Sequence, residues 1–495
     1  MKNSVAEAHA ELIRFLSQAR QPAVVESGCD PIPLVAGAYN IDLSGERLFL
    51  EAWTRDRTLS RRVTGLIEAS RHVSRFAIEK FGKKEGAIDF IDLAAPKSVN
   101  TTRKATRHTY REQFRRSLLR QFAGWKIAEL SAEADLENSL SPAYPRALLK
   151  NGNTAYAAIA CPPQAQDIDG VLTFGLIWLD YVRKRDPRAT VTGLAVFVPE
   201  GKHRSVCLRT VHLRVDTTEW AVFVYTERTE DRVDLRDYGN LSTVLPLRST
   251  GICHDLEWWI HRLSHLPQVT QFEQNNGAIS WRVHGLEFAH WEKSKGITFG
   301  LETKHSGRES NAAEIEALAR EMARLRSAEA ADRVNPLYLR KPELWLESQV
   351  REALPEIDAT LERQPVYRQA PELTSGDRSV LDLLAADYAG RLAVVEVKVT
   401  EDLHLPLQAL DYWIRVRWHA ARDDFRSSGY FPGRTLQTCP PRLLLVAPAL
   451  QLHPTTEFLI DYFSPEVEVE TIGVAMNWRE RIKVMFRRRR SLRPS

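Results

Sequence analysis

The stretch RLAVVEVKVTEDLHLPLQALDYW, residues 391–413, decides how the C-terminal part of the chain is read. It opens as a buried strand, apolar and β-branched, yet it carries Glu396 and Lys398 two positions apart. Side chains alternate along a strand, so these two share a face. Leu392 and Val394 lie earlier on that face, while Ala393, Val395, Val397 and Val399 take the other. Such a strand begins inside a core and opens into chemistry at its C-terminal end. The apolar segment before it carries Asp382, and AADYAGR makes a turn between the two, with Gly390 free to take positive φ. An antiparallel hairpin of that length brings Asp382 beside Glu396. Two close, partly buried carboxylates repel each other and raise a pKa unless a cation lies between them. A hard divalent ion, Mg²⁺ or Mn²⁺, answers that with oxygen ligands. A lysine next to the ion orients and helps deprotonate an attacking water, and the phosphodiester bond is the natural electrophile.

Working outward, PELWLESQVREAL reads as a helix with Pro342 in its first turn. RQPVYRQAPEL, RSVLDLLAADY and RLAVVEVKV read as three strands. LPLQALDYWIRVRWHA is a helix, RLLLVAPAL a strand, TTEFLIDYFS a helix and VEVETIGVAM a last strand. The order α-β-β-β-α-β predicts a mixed sheet with flanking helices. Gln408 and Tyr412 stand four apart on the helix after the Glu396 strand, and therefore on one of its faces.

Asp382, the triplet Glu396-Val397-Lys398 and the Gln408/Tyr412 spacing together resemble the PD-(D/E)XK nuclease superfamily, in its RecB-like branch. VLDLLAADYAGRLAVVEVK looks most like the NucS endonucleases within that branch. The resemblance covers residues 340–430, and Leu381 stands where the name-giving proline would be. It implies a restriction-endonuclease-like core that hydrolyses phosphodiester bonds in nucleic acid, here taken as DNA. It implies that Asp382 and Glu396 hold Mg²⁺ or Mn²⁺, with Glu347 as a further metal ligand from the first helix. It implies that Lys398 activates water and that Gln408 and Tyr412 support the site and the phosphate. The alternative is a catalytically silent module of that fold, presenting a surface to DNA or to a protein, in a defence or mobile-element setting.

The rest of the chain is read without such help. With 495 residues, 43% hydrophobic, it has room for several cores. A net charge of +4 excludes a generic polycation, so a nucleic-acid surface must come from local clustering. One cluster is RKATRHTYREQFRRSLLRQFAGWK, where Arg103, Arg107, Arg111 and Arg115 recur every four residues along a helix. Phe114, Leu118 and Phe122 give that helix an apolar side. The other cluster is Arg487 to Arg490, in a tail read as disordered. The five cysteines form no CxxC pair, and the N-terminal amphipathic helix has no signal-peptide core, so the expected location is cytoplasmic.

The expected organisation is a multidomain α/β chain in four parts. Residues 1–150 form a strand-rich domain with the basic helix at 103–126, and residues 131–153, rich in Pro, Ser and Asn, close it. Residues 151–335 form an α/β middle domain, 336–480 the nuclease-like domain and 481–495 the basic tail. In the middle domain, HGLEFAHWEKSKGITFGLETK repeats the pattern of the C-terminal hairpin: Glu287 stands for Asp382, and Glu302 and Lys304 for Glu396 and Lys398. The segment 281–304 reads either as a chance likeness between two hairpins or as a degenerate nuclease-like hairpin, a second copy of the nuclease core.

Overall fold

A computed structural model of the chain describes residues 5–26, 32–35, 37–44, 47–53, 58–70, 73–80, 84–92, 94, 98–162, 168–185, 189–226, 229–239, 241, 243, 245–248, 254–274, 277–368 and 382–490. Side chains at 98–109, among them Arg103 and Arg107, and residues 369–373 and 378–381 of two expected strands lie outside what it describes. Among the described residues the protein is a multidomain mixed α/β chain with four sheets and twelve α-helices.

The first unit is α1 (Val5–Gln18) and seven antiparallel strands: β1 (Pro22–Glu26), β2 (Ile32–Pro33), β3 (Tyr39–Ser44), β4 (Arg47–Trp53), β5 (Thr58–Ala69), β6 (Val73–Lys80) and β7 (Lys84–Asp92). Ala8, Leu12 and Phe15 recur at helical spacing, so α1 lays one apolar stripe on Leu48, Leu50, Phe76 and Phe90.

The second unit is α2 (Ser98–Gln121), β8 (Lys126–Ser131), β9 (Arg146–Asn151), β10 (Thr154–Ala160), α3 (Gly170–Arg185), β11 (Thr190–Pro199), α4 (His203–Thr210), β12 (Glu219–Tyr225) and β13 (Glu230–Val233). Its sheet runs β13-β12-β11-β10-β9-β8. This corrects the boundary expected at 131–153. Asn151 pairs with Thr154 across Gly152-Asn153, so the polar run KNGNT is a tight hairpin turn inside a sheet. The basic helix belongs to this unit as well: Tyr110, Phe114 and Leu118 pack on Ala147, Leu149, Phe197 and Phe223.

The third unit is an antiparallel meander between two helices: α5 (His254–Leu263), β14 (Val269–Glu273), β15 (Ile279–Val283), β16 (Leu286–Glu292), β17 (Gly296–Phe299), β18 (His305–Ser306) and α6 (Ala312–Leu325). It overturns the reading as a degenerate hairpin. Glu287 is on β16, but Glu302 and Lys304 lie beyond β17 in a bend. Gly300 ends β17 at φ 118°, where an added Cβ would stand 2.1 Å from the Thr303 carbonyl oxygen. The polar pattern is answered by ion pairs: Lys304 Nζ lies 3.3 Å from Glu287, and Glu302 lies 3.7 Å from Arg340.

The last unit is α7 (Pro336–Leu339), α8 (Pro342–Glu352), α9 (Leu354–Ile357), β19 (Tyr367–Arg368), β20 (Leu383–Ala386), β21 (Leu392–Val397), α10 (Leu405–Ala420), α11 (Asp424–Ser427), β22 (Arg442–Pro448), α12 (Thr455–Asp461), β23 (Glu468–Val474) and β24 (Val484–Arg489). The strands lie in sequence order. β20 and β21 are antiparallel, β21, β22 and β23 parallel, and β24 antiparallel at the edge. Residues 484–489, expected as the start of a disordered tail, are thus a strand. Their arginines are occupied: Arg487 lies 2.8 Å and Arg489 3.2 Å from Glu470, and Arg490 donates to the Ser464 carbonyl at 2.9 Å.

Strand alternation gives this sheet two cores. Leu383, Ala385, Ala393, Val395 and Val397 face Trp345, Leu346 and Val350 of α8. Leu384, Ala386, Leu392 and Val394 face α10, in a core that continues without a break into α3, β10 and β11 of the second unit. Arg209 and Asp411 seal that junction with a two-point ion pair at 2.9 and 2.6 Å.

Candidate functional site

β21 ends at the site. All six of its residues are buried, and Val397 is the last in register with β22. The Lys398 N–H continues the ladder to the Val446 carbonyl at 3.0 Å. On the other side, Leu383 pairs with Val395, and continuing that register sets Asp382 opposite Glu396. The turn that makes this possible contains Gly390 at φ 85°, pressed so close to Thr435 that a Cβ would stand 2.1 Å from its carbonyl oxygen. Asp382 is fixed by the Val397 N–H, which donates to its Oδ2 at 2.8 Å.

Glu396 shares the face of β21 that Leu392 and Val394 turn to α10, as alternation requires, and Lys398 follows just past the strand end. Glu396 is 2% exposed, and its Oε2 is buried with no hydrogen-bond partner. Burial, and then the neighbouring Asp382 carboxylate, push the Glu396 carboxyl well above the usual range. Burial also pushes Asp382 up to about 7, against the pull of Lys398 and the Val397 N–H. Without a cation, the pair therefore keeps a proton near neutral pH.

Lys398 stands within 3.9 Å of each of three carboxylates, Glu343, Glu396 and Asp402. Burial alone would lower its pKa, but those carboxylates and Asp382 outweigh burial and hold the ammonium charged. On α10, Tyr412 is buried beside the pair. Burial, then Glu396 and Asp382, raise its phenol far above the ordinary value, so it stays protonated as a donor. Gln408 lies one turn earlier on α10 and is half-buried.

Glu347 is placed differently from the expectation. It is buried on α8, but both its oxygens are engaged by Arg368, by Nε in a short contact and by Nη2 at 2.7 Å. Burial and Asp382 push its pKa up. The two-point guanidinium contact opposes that and holds the carboxylate ionised. Among the described residues, no group of three or more His, Cys, Asp or Glu side chains is gathered for a metal ion. The donors suited to Mg²⁺ or Mn²⁺ are thus Asp382 and Glu396. They fit such an ion: Glu396 Oε2 is an orphaned buried carboxylate oxygen, and Mg²⁺ is commonly held by one or two carboxylates and its own waters.

Glu343, Asp402 and Arg368 were missed in the sequence. Glu343 had a legible signal, one turn before Glu347 on the same helix, and Asp402 stands four residues after Lys398. Arg368 comes from a different strand and carries no local mark. Of the basic helix, Arg111 is half-buried beside Glu112 at 3.2 Å, Arg115 is exposed, and Arg120 is paired with Glu230. Among the described residues, no helix is long and apolar enough to cross a membrane.

The carboxyl pair has a measurable consequence. Unfolded, an aspartate titrates near 3.9, whereas folded Asp382 titrates at about 7. Between those values the folded state binds more protons, so stability falls as pH rises through that window and levels off above it. Thermal melts of metal-free protein from pH 4.5 to 8 should show this slope, flattened in Asp382→Asn and offset by added Mn²⁺ at pH 8. Equal slopes in parent and variant would sink the assignment.

No protein-family model matches the chain, and no curated protein matches it.

Proposed function

We propose that the chain is a metal-dependent nuclease that hydrolyses phosphodiester bonds in DNA, through a C-terminal unit of the PD-(D/E)XK, RecB-like kind. The observation that carries this reading is the orphaned Glu396 Oε2, on a buried carboxylate that stands opposite Asp382 and whose other oxygen, Oε1, lies 3.9 Å from Lys398 Nζ. A buried carboxylate oxygen without a partner costs about 1–3 kcal/mol or more. An apolar side chain at this buried position would carry no such cost, so the cost points to a ligand. The strand order supports the same reading, with the acidic hairpin leading into parallel strands and the QxxxY helix crossing over.

In this reading Asp382 and Glu396 would hold Mg²⁺ or Mn²⁺, which supplies Lewis acidity and a more acidic water. Lys398 binds and orients the attacking water and faces the charge that develops on the phosphate. Held charged, it is a donor rather than a proton acceptor. Tyr412 offers its hydroxyl proton to a phosphate oxygen, and Gln408 positions it from one turn away.

A second reading is a silent module of the same fold, and one observation favours it: Arg368 occupies Glu347, the residue that would complete the shell. Mn²⁺ titration followed by calorimetry separates the two. A nuclease binds the ion at Asp382 and Glu396 and cuts at least one of a panel of single- and double-stranded substrates. A silent module shows neither heat nor cleavage.

The exposed edge of α2 gives a smaller prediction. If Arg115 meets a phosphate, Arg115→Glu should flatten the slope of log affinity against log salt on duplex DNA by about one unit, alike for all sequences. An unchanged slope makes Arg115 a solvated side chain.

A further inference from the structure

The second and last units are built to one plan. Taken in order, the strand pairs of β8–β13 run antiparallel, antiparallel, parallel, parallel, antiparallel. Those of β19–β24 run in the same sequence. A helix precedes each first strand (α2 and α8), another joins the third strand to the fourth (α3 and α10), and another joins the fourth to the fifth (α4 and α12). Alternation agrees too. Ala155, Ala157 and Ile159 face the core of α3, as Leu392 and Val394 face that of α10. Ala158 and Ala160 face α2, as Val395 and Val397 face α8.

The strand ends fix which residue stands for which. Ala160 is the last residue of β10 in register with β11, and the Cys161 N–H continues to the Phe197 carbonyl at 2.8 Å. Val397 and Lys398 do the same against Val446. Cys161 therefore corresponds to Lys398, and Ile159 to Glu396. Arg146, paired with Ile159, corresponds to Asp382. This copy has no carboxylate at either acidic position. Arg146 is buried there, donates to the Glu133 carbonyl at 2.9 Å and lies 5.6 Å from the Trp178 ring, a fixed cation in place of an acidic ligand.

The two copies meet as a two-fold pair. The segment after α4 and the segment after α12 form an antiparallel bridge, Leu213 opposite Phe463. They exchange Arg214 N–H to Tyr462 O at 2.8 Å and Ser464 N–H to His212 O at 2.7 Å. α3 packs on α12 as α10 packs on α4. Reciprocal contact between equivalent segments defines an isologous interface. The starts of α10 and α3 also meet. His404, leading into α10, places Nδ1 3.1 Å from Thr173 Oγ1 in the first turn of α3.

A two-fold protein pair matches the two-fold relation between the antiparallel strands of a duplex, one centre for each strand. Here the pair holds one acidic centre. Resting on the nuclease reading above, we propose that the second unit is a silent copy of the last, and that one chain breaks one strand of duplex DNA, leaving a nick.

Supercoiled plasmid with the full chain and Mg²⁺ or Mn²⁺ tests this. Open circles should accumulate first, linear molecules should follow only after many independent nicks, and Asp382→Asn should produce neither. Linear product appearing without an open-circle intermediate overturns the one-strand inference and leaves the nuclease reading standing. So does cleavage confined to RNA or to single-stranded DNA. No metal-dependent break in any nucleic acid overturns both.

Discussion

Asp382→Asn is expected to lower cleavage by at least about a hundredfold, the scale on which a single preorganised charge contact acts in catalysis, while the metal-free protein becomes no less stable. The asparagine keeps an oxygen to accept the Val397 N–H, which Asp382 Oδ2 accepts at 2.8 Å. It removes one of two repelling buried carboxyls, and with it the proton the pair must hold near neutral pH. Melting temperature at pH 8 without metal should therefore rise or hold, and the gain on adding Mn²⁺ should shrink. Asp382→Ala is a poorer probe, because it strands the Val397 N–H at a cost of about 1–3 kcal/mol. A pure, folded Asp382→Asn protein that cuts like the parent would remove Asp382 from the chemistry and end the two-carboxylate account.

What could be read from the residues follows the range of the interactions. Asp382, Glu396 and Lys398 are joined by one hairpin, so alternation and turn length were enough to expect them together. Glu347 could be expected on α8, but not its capture by Arg368, which depends on how a helix and a distant strand pack. The run 131–153 reads as a domain boundary because polar turn residues look the same between domains and inside a hairpin. The hairpin expected at 281–304 misleads for a related reason. The hairpin at 281–304 has the right charges on an antiparallel meander, whereas the second unit has the right topology with Arg146, Ile159 and Cys161 at the key positions. A fold is kept by apolar alternation, which Ala155, Ala157 and Ile159 preserve. The charges carry chemistry and can be lost without unfolding the sheet.

The arginines of the chain end illustrate the same limit and lead to the largest stability effect. FRRRR reads as a solvated basic run, yet it is an edge strand over buried acid. Arg442 on β22 is buried between Asp358, in a short contact, and Glu470 at 2.9 Å. Arg487 adds a contact to each, 3.4 Å to Asp358 and 2.8 Å to Glu470. Asp358 is held down to about 2: burial would raise it, but hydrogen bonds from Thr360 and Arg442 outweigh that. Removing the central guanidinium leaves two buried carboxylates facing a half-exposed Arg487. Arg442→Met is therefore expected to cost about 3–5 kcal/mol, the usual result of breaking a buried ion pair from one side. Arg487→Met should cost clearly less, because Arg442 remains. Combining Arg442→Met with Asp358→Asn and Glu470→Gln should recover most of the loss, since the uncompensated charge is gone. Denaturant melts of the four proteins decide it. If Arg442→Met matches Arg487→Met, the acids are wet and the network is a surface one, and the chain-end arginines return as candidates for nucleic-acid contact.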